Sequence, residues 1–127
     1  MTRRRRPIRW LLILALLVLA PKAAGHAMLV RSAPPARSTL RVPPARAQLW
    51  FSERLEPAYS TVSVWTNDTQ VDGRDVAVGT EDGRSLTVAL PPLSRGVYQV
   101  KYRVLSVDGH VVAGSYSFSV ADKAPSR

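Results

Sequence analysis

Residues Gly96 to Val120 read GVYQVKYRVLSVDGHVVAGSYSFSV, and their alternation decides the fold. In the first half, Tyr98, Val100, Tyr102 and Val104 fall on one face and Gln99, Lys101 and Arg103 on the other. In the second half, Tyr116, Phe118 and Val120 alternate with Ser115, Ser117 and Ser119. A period of two over such runs predicts two half-buried strands. Between them stands Asp108-Gly109, a dipeptide that favours hairpin turns. His110 follows it. Alone, His110 reads as a residue that merely follows the bend, although histidine also serves as a metal ligand and pH switch.

Upstream, the same period recurs in shorter runs. Leu86, Val88 and Leu90 share a face in SLTVAL, Val62 and Val64 in STVSVWT, and Leu49 and Phe51 in AQLWFS. Turn dipeptides separate these runs: Asn67-Asp68, Asp72-Gly73, Asp82-Gly83, Pro91-Pro92 and Asp108-Gly109. Trp50 and Trp65 fall out of phase with the apolar positions and are expected on outer faces. The proline-rich stretch Ser32 to Pro44 is expected to run extended along a sheet edge. These features predict an all-β chain, an immunoglobulin-like Greek-key β-sandwich of about seven strands. No helical period of useful length follows residue 25.

The first 25 residues have a different character. Arg3 to Arg6 and Arg9 form a positive region, and Trp10 to Ala20 is an unbroken apolar run of 11 residues. That run is short for a membrane span, which needs about 20 residues. Pro21 and small residues follow, so residues 1–25 read as a secretory signal peptide and the protein as exported to the cell envelope or periplasm. Residues 26–121 form the expected domain, and 122–127 a flexible tail. Cleavage after Gly25 leaves His26 at the new N-terminus; cleavage after Ala27 discards it. The charge fits this division. Of 18 basic residues six precede His26, so the remainder carries 12 against nine acids, only +3 of the formal +9. No basic stripe remains to follow a nucleic acid.

The chain has no cysteine, which excludes a disulfide scaffold, an iron–sulfur cluster and a thiolate zinc site. Histidine occurs only at His26 and His110. An N-terminal His26 would supply two nitrogens, its α-amine and imidazole Nδ1, closing a chelate ring on one ion. The amine has a pKa of about 8, so a strongly competing metal can displace its proton near neutrality. His110 adds a third nitrogen, and Asp108 can add an oxygen. A sulfur-free tetragonal N,O set suits Cu(II), then Ni(II); zinc prefers a tetrahedron.

Taken in order, HAMLVRSAPP, LWFSERLEP and VALPPLSRGVYQVKYRVLSVDGHVVAGSYSFSV resemble the CopC family of bacterial secreted copper-resistance proteins, over nearly the whole chain after the signal. The resemblance implies a β-sandwich that is not an enzyme, with one Cu(II) per chain held by His26, Asp108 and His110. It favours cleavage after Gly25, and carries Glu53 of Phe-Ser-Glu over as a further residue near the copper. It also implies a separate CopD-like membrane copper transporter as partner, with the chain itself a monomer. Some members carry a methionine-rich Cu(I) site. Here only Met1 and Met28 occur, so no thioether cage is expected, and Met28 reads as a packing residue. Two other readings remain: a copper-dependent oxidative enzyme using the same N-terminal chelate, and a metal-free β-sandwich interaction module.

Overall fold

The structure, a computed structural model, describes residues 27–122. His26, the expected signal peptide and residues 123–127 lie outside the described residues. The strands are β1 (Leu29–Ala33), β2 (Thr39–Leu40), β3 (Arg46–Phe51), β4 (Thr61–Thr66), β5 (Thr69–Gln70), β6 (Ala77–Val78), β7 (Ser85–Ala89), β8 (Gly96–Leu105) and β9 (Val111–Val120). One 3-10 turn, Pro57–Tyr59, precedes β4. The strands form two sheets, ordered β1-β3-β7-β6 and β2-β9-β8-β4-β5. The expected sandwich is present; its strand number exceeds the expected seven because β2, β5 and β6 are two residues each.

The alternation seen in the sequence is the division between core and solvent. Leu49, Phe51, Val62, Val64, Leu86, Val88, Tyr98, Val100, Val104, Phe118 and Val120 meet between the sheets. Each such side chain contributes about 1.5–3 kcal/mol on burial. The out-of-phase tryptophans face outward, each beneath a cation. The Arg31 guanidinium lies 3.8 Å from the Trp50 ring centroid, and Lys101 Nζ lies 5.0 Å from that of Trp65.

The proline-rich stretch does more than follow one edge. It leaves β1 at the edge of the first sheet and enters β2, which pairs in parallel with Ser119 and Val120 at the edge of the second. Asn67 and Asp68 make the expected two-residue hairpin turn. Both have positive φ, 48° and 62°, as the mirror-image turn requires.

The aspartates after that hairpin are structural acceptors. Buried Asp72 accepts the Val64 N–H at 2.8 Å, the Gln70 amide at 3.0 Å and the Arg74 N–H at 2.9 Å. Asp75 accepts the Ala89 N–H at 2.9 Å. Together they fasten the crossing from β5 to β6.

Candidate metal centre

The β8–β9 ladder runs from Gly96↔Val120 to Leu105↔Val111, and the chain between its last pair is Ser106 to His110. This loop closes on itself. The Ser106 N–H donates to the His110 carbonyl at 3.0 Å, and the Gly109 N–H donates to the Ser106 carbonyl at 2.9 Å. The tight bend is therefore Ser106–Gly109, with Val107 and Asp108 at its centre. It falls one residue before the Asp108-Gly109 bend expected from the sequence. Gly109 closes the bend with φ +93°, a conformation that L side chains rarely adopt.

This bend turns Asp108 and His110 toward each other. His110 Nδ1 lies 3.2 Å from Asp108 Oδ1, and the two side chains are 45% and 41% exposed. Ser106, fully buried beneath them, donates its hydroxyl to the same Asp108 oxygen. The His110 N–H approaches that hydroxyl at 3.3 Å. The Ser106 hydroxyl above all, and then His110, hold the Asp108 carboxyl below its ordinary value of 3.8, against the opposing effect of desolvation. A carboxylate and an imidazole are thus side by side at the surface, with the carboxylate favoured in its charged form.

The start of β1 comes to the same end of the sandwich. As β3 ends, the Ser52 N–H donates to the Met28 carbonyl at 2.8 Å, and the Met28 N–H donates to Ser52 Oγ at 2.9 Å. Two residues later the Arg54 carbonyl accepts the Val107 N–H at 3.0 Å. Two residues of extended chain reach at most about 7 Å, so the start of β1 and the 106–110 loop are neighbours across Ser52–Arg54. Turn 82–84 supports this segment from outside. The Leu55 N–H donates to the Gly83 carbonyl at 2.8 Å, and Arg84 Nη1 reaches the Ser52 carbonyl at 3.1 Å.

Of the ligands read from the sequence, Asp108 and His110 are in contact. His26, bonded to buried Ala27, lies outside the described residues. Glu53 is half-buried between Ser52 and Arg54. Among the described residues no three His, Asp, Glu or Cys side chains come together, so Glu53 does not complete a cluster with the pair. Arg103, on the polar face of β8, forms no ion pair among the described residues. Met28 does not pack as expected. The residue is 66% exposed, because neighbouring Ala27 takes the buried position and Met28 is held through its backbone. The sequence reading missed Ser106, whose only signal is its place two residues before Asp108 and four before His110.

Comparison with known proteins identifies the family of the chain. A family model described as the CopC domain matches residues 29–121. The chain is 37% identical over 107 residues to a copper resistance protein C of Xanthomonas campestris pv. juglandis, covering 77% of this chain and 82% of that protein. It is 32% identical over 114 residues to a copper transport protein, CutJ, of Bacillus subtilis. That match takes in 87% of this chain but spans only 21% of the relative's length. Among solved structures, the crystal structure of CopC from Methylosinus trichosporium OB3b superposes with a TM-score of 0.72 at 36% identity, covering 80% of this chain and 99% of that one.

Proposed function

The chain belongs to the CopC family, a family of copper-handling proteins rather than enzymes, and we propose that it binds one Cu(II) ion outside the cytoplasm and passes it to a separate membrane transporter. The observation that carries this reading is the contact between Asp108 and His110, on a loop adjoining the start of β1. Cleavage after Gly25 would place the His26 amine and imidazole beside that pair. Three nitrogens and one carboxylate oxygen would then surround the ion, a donor set suited to Cu(II) and lacking the thioethers that hold Cu(I). Glu53, which forms no cluster with the pair, is left outside this donor set.

Each part of the loop has a task in this scheme. Asp108 supplies negative charge that offsets the ion's, and its carboxylate stands beside the ring that gives the third nitrogen. Both side chains remain partly exposed, so a bound ion stays within reach of an acceptor. Exchange of ligands with a CopD-like membrane partner then requires no opening of the sandwich. The chain would act as a monomer, buffering copper for resistance or supply.

The test is a Cu(II) titration of protein beginning at His26. One equivalent should bind, with a type 2 EPR signal that shows nitrogen couplings. Two tight equivalents, or a spectrum without nitrogen couplings, would overturn the proposal.

A further inference from the structure

Ser106 is not a metal ligand in the scheme above, yet both described ligands converge on it. We propose that Ser106 is a positioning residue: its hydroxyl sets the Asp108 carboxylate and the His110 backbone in the metal-binding arrangement before the ion arrives. The inference rests on the Cu(II) reading of the site.

The geometry assigns this role in three ways. Ser106 is fully buried and therefore has little freedom. Its backbone is fixed on both sides, through the N–H to the His110 carbonyl at 3.0 Å and through its bridge to Leu55. Its hydroxyl donates to Asp108 Oδ1, the same atom that faces His110 Nδ1. One buried hydroxyl thus fixes the orientation of a side chain that is itself 41% exposed. A surface carboxylate without such an anchor samples several rotamers, and restricting it at the moment of binding weakens affinity. Residues that orient metal ligands typically change affinity roughly 10- to 100-fold when removed.

The experiment is a double-mutant cycle on Cu(II) affinity, using protein that starts at His26. Ser106→Ala should weaken Cu(II) about tenfold while leaving the number of nitrogen couplings in the EPR spectrum unchanged. In an Asp108→Ala background the same change should cost less than about threefold, because the side chain it positions is gone. Equal costs in both backgrounds would show that Ser106 acts through general loop stability and would overturn the inference. So would an unchanged affinity in Ser106→Ala. Should Ser106→Ala fold poorly, Ser106→Thr retains the hydroxyl. It should keep affinity within about threefold of the parent, and a loss matching that expected for alanine would count against the proposal. Failure of the Cu(II) reading looks different: the parent protein would then not bind Cu(II) through nitrogen at all.

Discussion

Met28 and Ser52 hold each other twice, through the Met28 N–H to Ser52 Oγ at 2.9 Å and the Ser52 N–H to the Met28 carbonyl at 2.8 Å. This clamp fixes the start of β1 beside the 106–110 loop, and the proposed chelate would be built from there. The chelate therefore depends on which residue is first. Protein starting at His26 should bind Cu(II) strongly, and protein with one glycine added before His26 should lose the amine from the chelate. The expected loss exceeds the roughly 10- to 100-fold typical of an outer-shell change. Intact mass of the exported protein combined with competition titration checks it; equal affinities for the two forms would remove His26 from the ligand set.

The site has a defined pH response. The Asp108 pKa is lowered, so its favourable contacts are present above the ordinary value of 3.8 and are lost as pH falls through the still lower folded value. Copper loss at mildly acidic pH must therefore come from other groups. Protons compete with the metal for the proposed nitrogen donors, so Cu(II) affinity should decline as pH falls from about 8 toward about 5. In the metal-free protein, carbon-detected NMR should show Asp108 ionised throughout that range. An Asp108 titration midpoint above 4 would contradict the arrangement around Ser106.

Tyr116 gives the fold a second, alkaline limit. Its hydroxyl is buried with no partner in hydrogen-bonding geometry. Burial, with Tyr102 adding and the Ser32 hydroxyl opposing, pushes its pKa up to about 12 from 10.0. A raised folded value means this contribution is intact below pH 10 and lost as pH rises toward 12. Tyr116→Phe should remove that part of the alkaline destabilisation. At neutral pH it should leave stability unchanged or raise it by about 1 kcal/mol, since a hydroxyl buried without a partner is costly. Urea unfolding at pH 7 and pH 11 measures both.

How far the sequence reveals this molecule depends on whether a feature is local. The strands β3, β4, β7, β8 and β9 are legible because each sets alternate apolar side chains against one core. β1 is not, because its register shifts between Leu29 and Arg31, leaving Val30 and Arg31 both exposed. The two-residue strands are too short to show any period. Asp108 and His110 are legible as a pair because one bend joins them. Their nearness to the start of β1 is not, since it depends on how Ser52–Arg54 leaves β3. Ser106 escapes notice for a similar reason: a serine at a strand end is ordinary until the loop folds back over it.

Gly114 is a site where an added methyl group should be costly. It pairs directly with Tyr102, and a Cβ placed there would lie 2.3 Å from the tyrosine oxygen and 2.6 Å from Cζ. The ring has little room to retreat, because it packs edge-on against Phe51 with centroids 5.4 Å apart. Gly114→Ala should destabilise the protein by about 1–3 kcal/mol, as overpacking does. Denaturant midpoints decide it; an unchanged midpoint would mean that the Tyr102 ring is loosely held.

Asp72 and His110 provide the contrast that separates fold from site. Asp72 accepts three hydrogen bonds from a buried position, including the Val64 N–H at 2.8 Å. Asp72→Ala would leave that strand donor without its partner, at a cost of about 1–3 kcal/mol. It should nevertheless leave Cu(II) affinity unchanged under folded conditions, because Asp72 fastens the β5–β6 crossing rather than the metal loop. His110→Ala should do the reverse. His110 is exposed enough that its loss should barely affect the core, yet in the proposed site it would remove a nitrogen donor. Met28→Ala completes the set. Exposed, and held only through its backbone, Met28 should matter little to either measurement. Paired melting curves and Cu(II) titrations on the three variants should therefore divide cleanly. If Met28→Ala weakened copper binding as much as His110→Ala, a thioether would belong in the ligand set.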